Sequence, residues 1–215
     1  MSKSKQFTLI IVEDHPMFRS GLRLLIETFP RITIVGEYNN GETALEVLRE
    51  QQIDIAIVDV DMPKMNGIEL IKKCKELNLT TSLIFLTVYN EKSLLFRLMD
   101  YGAKAYLLKE TATEEMQTCL TNVAHGELFV STSLQPILEQ WKSQGEKQPS
   151  IDILTTMEKK VLGALAQLKT NKEIADAFFI SEKTVENHRT NIAKKLNIQG
   201  THALLKYAIE QKPFL

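Results

Sequence analysis

The chain has only two cysteines, Cys74 and Cys119, in 215 residues, and that scarcity excludes two kinds of protein. They are too few for a disulfide scaffold and lack the CxxC spacing of a metal site. Both fall in segments of helical period and read as reduced thiols of a cytoplasmic chain. Long apolar runs are missing too. Stretches such as Leu9–Val12 and Ile55–Val58 stop at four residues, far short of the ~20 that a membrane span needs. The opening Met1–Gln6 carries basic residues but runs straight into a short apolar segment ending at Glu13-Asp14. With no long apolar core and no cleavage site, a secretion signal is not expected.

A large excess of either charge is also lacking, since 26 Lys and Arg stand against 27 Asp and Glu, for a net charge of −1. The balance conceals an asymmetry. Residues 1–130 hold 14 basic and 18 acidic side chains, a net of −4, whereas residues 151–215 hold 10 and 7, a net of +3. An acidic ion site ahead of a DNA-binding tail fits that split, although +3 is modest for a nucleic-acid binder. The length suits two small domains, and 44% hydrophobic with 25% charged residues are ordinary globular values.

What the chain does contain is a regular alternation. Short β-branched runs at Thr8–Val12, Ile32–Glu37, Ile53–Val58, Ser82–Thr87 and Ala105–Leu108 predict five strands. Helical periodicity places crossover helices between them at about Pro16–Thr28, Gly41–Gln51, Gly67–Leu77, Glu91–Tyr101 and Thr113–Ala124. Five βα units predict an α/β fold: a doubly wound, five-stranded parallel sheet over residues 1–128. Lys142–Ser150 has almost nothing to bury and contains Gly145 and Pro149. Residues 129–150 are therefore expected to be a linker, with a short helix at Thr132–Trp141. Beyond it no strand-like run occurs, and residues 151–215 predict a small all-α domain. Two of its helices open with capping-box spacing, Thr155-x-x-Glu158 and Thr170-x-x-Glu173.

In a doubly wound sheet, ligands sit at the carboxyl ends of the strands. Glu13 and Asp14 follow the first predicted strand, and Asp59 follows the third with Asp61 two residues on. Carboxylates gathered there repel one another, and Mg²⁺ would relieve that while leaving coordination positions open for phosphate oxygens. Thr87 and Lys109 follow the fourth and fifth strands, so a hydroxyl and an ammonium face the same crevice. Phosphoryl transfer is mostly positioning and charge neutralisation, and this set supplies both around a carboxylate nucleophile, Asp59. Taken singly, Glu13-Asp14 reads as a solvated turn, Thr87 as a helix cap, Lys109 as an exposed end and Tyr106 as a half-buried strand aromatic. Their convergence on one chemistry from separate strand ends makes them a candidate site.

These residues resemble the receiver domains of two-component response regulators over about residues 6–125. The resemblance rests on Glu13-Asp14, on Asp59-x-x-Met62-Pro63-x-x-Asn66-Gly67, on Thr87, and on Gly102-Ala103-x-Ala105-Tyr106-Leu107-x-Lys109. It implies a flavodoxin-like domain in which Asp59 is phosphorylated by a sensor histidine kinase. It further implies that Asp14, Asp59 and the backbone carbonyl of Asp61 hold Mg²⁺, with Glu13 acting directly or through water. Thr87 and Lys109 would contact the phosphoryl group, and Tyr106 would be the switch aromatic. Lys64 stands where that family often has glycine. Such a protein is no enzyme beyond handling its own phosphoryl group. Val58-Asp59-x-Asp61 also resembles the nucleophile motif of haloacid-dehalogenase phosphohydrolases, but Met62-Pro63 and the lack of a later acidic pair disfavour that.

In the last domain, Ile174, Ala175 and Phe178 mark the buried face of a short helix, and Val185, Ile192 and Leu196 that of a longer one. Phe179-Ile180-Ser181 between them predicts a tight turn with Ser181 as N-cap. On the outer face of the longer helix, Glu186, Asn187, Thr190 and Lys194 are spaced to line a major groove. Ser181, Lys183, Thr184 and Arg189 could hold phosphates.

Residues 153–211 resemble the LuxR/NarL type of DNA-binding domain. The string that carries this runs through Leu154-Thr155-x-x-Glu158, Asn171-Lys172-Glu173-Ile174-Ala175, Ile180-Ser181-x-Lys183-Thr184-Val185-x-Asn187-His188-Arg189 and Lys195-Leu196. It implies a helix-turn-helix regulator of the NarL/FixJ family that binds double-stranded promoter DNA as a homodimer. Its third helix would span about Glu182–Leu196 and its last about His202–Gln211. A regulator that acts without phosphorylation, through protein contacts, is the alternative. Two departures stand out. Leu168 replaces a glycine that usually ends the first helix, and forcing a non-glycine residue into a left-handed cap costs ~1–2 kcal/mol, so a different turn is expected. Glu186 replaces a common basic residue on the groove face and would alter affinity or preference.

Overall fold

The structure is a computed structural model that describes residues 6–143, 151–198 and 203–210. The chain divides into two compact units, residues 1–143 and 144–215. The first holds β1 (Phe7–Val12), β2 (Ile32–Tyr38), β3 (Ile55–Asp59), β4 (Ser82–Thr87), β5 (Ala105–Leu108) and β6 (Phe129–Val130), all parallel, in the order β2-β1-β3-β4-β5-β6. Helices α1 (Pro16–Glu27), α2 (Gly41–Glu50), α3 (Gly67–Glu76), α4 (Lys92–Tyr101) and α5 (Ala112–Ala124) supply the crossovers. A further helix, α6, spans Gln135–Ser143.

The sequence explains the layering. Every residue of β3 is buried, as expected for a central parallel strand covered by helices on both faces. Leu9, Ile11, Ile55, Ile57, Ile84 and Leu86 meet Leu22 and Ile26 of α1 and Met116, Leu120 and Val123 of α5 in one core. Thr8 and Asp54 tie β1 to the start of β3. The Thr8 amide and hydroxyl both donate to Asp54 Oδ2, at 2.9 and 3.0 Å, and the Asp54 amide donates to Thr8 Oγ1 at 3.0 Å.

The expected sheet of five strands gains a sixth. Phe129 and Val130, placed in the linker by the sequence pattern, are buried and pair with Ala105 and Tyr106. The segment is then pinned by side chains: Ser131 Oγ accepts the Leu108 amide at 2.9 Å, and Glu115 Oε1 accepts the Thr132 amide at 2.9 Å. The expected short helix exists as a single 3₁₀ turn, Thr132–Leu134, followed by α6. Trp141 Nε1 donates to Asp100 Oδ1 at 3.0 Å and Lys92 Nζ donates to Gln140 Oε1 at 3.0 Å, fastening α6 to both ends of α4. Residues 129–143 therefore belong to the first unit. Of the predicted linker Lys142–Ser150, residues 144–150 lie outside the described residues, as do 1–5 of the opening segment and both ends of the predicted helix His202–Gln211.

The second unit contains α7 (Thr156–Ala166), α8 (Asn171–Phe178), α9 (Glu182–Lys195) and α10 (Ala203–Glu210). Val161, Leu162, Ile174, Val185, Ile192, Leu204 and Ala208 form its core. Both predicted capping boxes are present, Thr155 with Glu158 and Thr170 with Glu173. Glu158 is almost fully buried and also accepts from Lys195 Nζ at 2.7 Å, so one carboxylate holds the start of α7 against the end of α9.

Leu168 does not change the turn after α7. It adopts the left-handed conformation, φ 63°, with its side chain 68% exposed, because the Lys169 amide closes the helix end on the Ala164 carbonyl at 3.2 Å. A Leu168→Gly variant removes about 1–2 kcal/mol of backbone strain and buried contacts are scarcely touched. Glycine's greater freedom in the unfolded chain takes back about 0.5–1 kcal/mol. A net gain of about 0.5–1 kcal/mol is expected, seen calorimetrically as a rise of a few degrees in the unfolding of the second unit; a fall would contradict the strain.

Candidate functional site: an acidic pocket and a helix-turn-helix face

The carboxyl ends of β1, β3, β4 and β5 deliver the pocket. Glu13 and Asp14 leave β1 at the Glu13 amide, which is fixed to the Tyr38 carbonyl at 2.9 Å. Asp59 is the last residue of β3 and is only 6% exposed. Ligand atoms of Glu13, Asp14, His15 and Asp59 all lie within 4.8 Å of one another. Lys109, directly after β5, donates to Glu13 Oε2 at 2.7 Å and to Asp59 Oδ2 at 2.8 Å. Its ammonium also lies over the Phe18 ring, 4.5 Å from the centroid. Thr87 ends β4 and is buried, and the register pairs Leu86 with Asp59.

The electrostatics follow from crowding. Burial pushes the Asp59 carboxyl up to about 6, and the Glu13 charge adds to this, while the bond from Lys109 opposes it. Burial works against the Lys109 ammonium, yet its bonds to Asp59 and Glu13 outweigh that and raise its pKa. Two buried carboxylates thus share one ammonium, which leaves negative charge in excess and hard oxygen donors close together. That donor set fits a divalent cation of the Mg²⁺ kind.

Asp61 was expected to contribute its backbone carbonyl, and its carboxylate accepts a hydrogen bond from the Tyr89 hydroxyl. Tyr106, expected half-buried, is fully buried, and its hydroxyl donates to the Tyr89 carbonyl at 2.7 Å. The difference arises because β6 covers the β5 edge that would otherwise face solvent.

Three residues that the sequence pattern did not single out stand beside the site. His15 Nδ1 lies 3.0 Å from Asp14 Oδ1 and its amide donates to Glu13 Oε1 at 3.1 Å. Tyr89 and Phe18 are the others. Only His15, adjacent to the acidic pair, carried any signal in its position. Lys64, where a glycine was noted as usual, has φ 66°, so the loop after β3 retains the left-handed turn that favours glycine.

On the second unit, α8 and α9 are joined by the expected turn. Phe179 closes α8 in the left-handed conformation, and Ser181 Oγ caps α9 by accepting the Thr184 amide at 3.0 Å. Ser181, Lys183, Glu186, Asn187, Thr190 and Lys194 are exposed, and Thr184 and Arg189 are half-buried. Lys183 pairs with Glu186 at 2.9 Å, Thr190 returns its hydroxyl to the Glu186 carbonyl at 2.9 Å, and Arg189 donates to Asn171 Oδ1 at 2.6 Å. Lys183, Glu186, Asn187, Thr190 and Lys194 form one stripe opposite Val185 and Ile192, as helical spacing requires.

A doubly wound sheet with an acidic pocket and a lysine at its carboxyl edge, carried with a helix-turn-helix unit, defines the response-regulator class. Comparison with known proteins agrees. Residues 9–121 match the family of the response regulator receiver domain, and residues 152–208 match the bacterial regulatory proteins of the luxR family. The chain belongs to the response regulators with a LuxR-type DNA-binding domain, the NarL/FixJ group. It is 38% identical to the transcriptional regulatory protein YhcZ of Bacillus subtilis, over 94% of this chain and 95% of that one. It is 33% identical to the nitrate/nitrite response regulator protein NarL of Escherichia coli, over 93% and 94%. Among solved structures it resembles RcsB of Salmonella enterica serovar Typhimurium bound to a promoter in the presence of a phosphomimetic. The TM-score is 0.66 at 26% identity, covering 96% of this chain and 99% of that one. No helix among the described residues is long and apolar enough to cross a membrane.

Proposed function

We propose that Asp59 is the phospho-acceptor of a phosphorelay and that its state controls DNA binding by α9. The observation that carries this is the convergence of Glu13, Asp14 and Asp59 beneath Lys109, with Lys109 bonded to Asp59 itself. Asp14, Asp59 and the Asp61 backbone carbonyl would hold Mg²⁺, with Glu13 acting directly or through water; the His15 nitrogen, a softer donor, orients Asp14 instead. When bound, the ion supplies positive charge to the phosphate oxygens during transfer. Asp59 Oδ would attack the phosphorus as its bond to the donor breaks, to a ring nitrogen of a phosphohistidine or to the carboxylate oxygen of an acyl phosphate, and the donor leaves with that electron pair. Lys109 releases Glu13 and Asp59 to pair with a phosphoryl oxygen, Thr87 donates its hydroxyl to another, and Tyr106 follows the vacated space.

On this reading the donor is a sensor histidine kinase or a small acyl phosphate, and the protein works in the cytoplasm as a homodimer when active. It catalyses only its own phosphorylation and dephosphorylation. Residues 1–143 act as the receiver, and residues 151–215 bind double-stranded DNA. Asn187 and Thr190 would read base edges in a groove that Lys194 also lines, while Ser181, Lys183, Thr184 and Arg189 would meet phosphates. Glu186, tied to Lys183, neutralises one of those cations and would accept from cytosine. Incubation with acetyl phosphate and Mg²⁺, followed by intact mass measurement, is expected to add one phosphoryl group to the wild type and none to Asp59→Asn. Equal modification of both proteins would refute the assignment.

A further inference from the structure

The chain that carries Lys109 is held from behind. Lys109–Thr111 is a single 3₁₀ turn between β5 and α5, and side chains outside the turn fix both of its ends. Just ahead of it, the Leu108 amide donates to Ser131 Oγ at 2.9 Å. At its close, the Thr111 hydroxyl donates to Glu115 Oε2 at 2.7 Å, the shortest of the three contacts that hydroxyl makes. Thr111 Oγ1 and Ser131 Oγ lie 3.3 Å apart, and with the Thr111 proton directed at Glu115, Ser131 is the donor between them. Leu108, Ser131, Thr111 and Glu115 thus form one directed chain of hydrogen bonds, in which each bond polarises the next. The other Glu115 oxygen accepts the Thr132 amide at 2.9 Å, so one carboxylate ties the chain after β5 to the chain after β6.

Burial makes these bonds hard to exchange for water. Ser131 is wholly buried and Leu108 nearly so, and a buried amide left without an acceptor is costly. Burial also disfavours the Glu115 charge, yet the contacts with Ser131, Thr132 and Thr111 outweigh it and bring the carboxyl down to about 2. Glu115 is therefore an anion at neutral pH, the fixed charge at which the chain of bonds ends.

We propose that Glu115 is a positioning residue for phosphoryl transfer: through Thr111 and Ser131 it fixes the backbone from which Lys109 reaches the phosphoryl group. The inference rests on Asp59 being the phospho-acceptor, and it adds to that reading a residue outside the pocket. In the step concerned, Asp59 Oδ bonds to the phosphorus of acetyl phosphate, the bond from phosphorus to the acetate oxygen breaks, and acetate leaves with that electron pair. Lys109 keeps its protons and supplies charge. To do so its ammonium must leave Glu13 and Asp59, its partners at 2.7 and 2.8 Å, for a phosphoryl oxygen. Only the side chain need travel while the turn beneath it stands still.

The test uses the full chain with Mg²⁺ and acetyl phosphate, with loading read by intact mass at a temperature where every variant is fully folded. Thr111→Val keeps the shape and removes the hydroxyl, Glu115→Gln keeps the shape and removes the charge, and Thr111→Ser retains the hydroxyl. A misplacement of about 1 Å costs up to about a hundredfold in rate, and a turn loosened at one of its two ends should cost less. Thr111→Val and Glu115→Gln are expected to lower the maximal loading rate about three- to thirtyfold, with half-saturating acetyl phosphate and Mg²⁺ affinity within about twofold of the wild type. Thr111→Ser should load at close to the wild-type rate. The second readout is the fluorine NMR spectrum of trifluoroberyllate bound at Asp59. The fluorine facing Lys109 should shift in Thr111→Val and Glu115→Gln and hold its wild-type position in Thr111→Ser. A merely structural tie lowers the thermal midpoint of the first two variants and leaves loading rate and fluorine signals alone, and that result overturns the proposal. So does a Thr111→Ser protein as slow as Thr111→Val. Absence of loading in the wild type overturns the acceptor assignment instead, and the positioning role falls with it.

Discussion

Gly67→Ala is expected to destabilise the first unit by about 2–4 kcal/mol, through overpacking against atoms that cannot withdraw. A methyl group there would meet the Asp59 carbonyl oxygen directly, with Phe85 Cε1 at 3.0 Å and the Val60 Cα at 3.1 Å. The Gly67 amide donates to the Val60 carbonyl at 2.9 Å, so α3 begins flush against the chain that follows β3. Relief requires moving either the helix or the backbone that carries Asp59. At roughly 3 °C per kcal/mol for a unit of this size, the thermal midpoint should fall by about 6–12 °C, and Asp59 loading should suffer beyond what the loss of folded protein accounts for. Gly21→Ala is the control. Nothing lies within 4 Å of its added methyl on the exposed side of α1, and exchanging glycine for alanine in a helix interior stabilises by ~1 kcal/mol. A Gly67→Ala protein as stable as the wild type would show that α3 does not need that close approach.

Asp59→Asn should make the protein more stable, provided divalent cations are removed and the pH is neutral. Burial holds the Asp59 carboxyl near 6 against its ordinary 3.8, so the folded state prefers the protonated form. The contribution of such a raised group is fully present below the unfolded value and is lost as pH rises through the folded one. About two pKa units correspond to roughly 3 kcal/mol. The lost bond from Lys109 offsets part of this, leaving an expected gain of about 1–2 kcal/mol for the variant at pH 7.5 in EDTA. The gain should shrink between pH 6 and 4 and vanish below it. Saturating Mg²⁺ should narrow or reverse the difference, because only the wild-type fold gains the full binding energy of the ion. Chemical denaturation across that pH range measures it, and a gain that ignores pH would sink the explanation.

Much of this pocket was legible because strand ends announce themselves. Thr8–Val12, Ser82–Thr87 and Ala105–Leu108 are β-branched or apolar runs that stop abruptly at polar residues, and parallel topology sends all those stops to one edge. Glu13, Asp59, Thr87 and Lys109 therefore needed no coordinates to be grouped. Phe129–Val130 is different, since two residues show no periodicity, and its pairing with β5 is decided by tertiary contacts through Ser131 and Glu115. The helix expected at Thr132–Trp141 is present as the 3₁₀ turn and α6; what the sequence did not show is its anchorage to α4 through Trp141 and Asp100.

Side-chain direction was the other hidden quantity. Asp61, expected to contribute only its backbone carbonyl, sends its carboxylate to the Tyr89 hydroxyl, a partner that spacing along a loop does not specify. Tyr89 itself lies in a loop without period, and its partners Asp61 and Tyr106 come from separate segments. Leu168 shows the limit of local propensity in the other direction. Its preference against positive φ was read correctly as a cost, but the helix end overrides it.

Trp141 is the chain's single tryptophan, and it sits where α6 grips α4, the helix that follows the Thr87 loop. An indole bonded to a carboxylate is sensitive to the polarity around its ring. The molecule therefore carries a native optical reporter, free of dyes and of background from other indoles, on the joint through which a change at Thr87 would reach the end of the first unit.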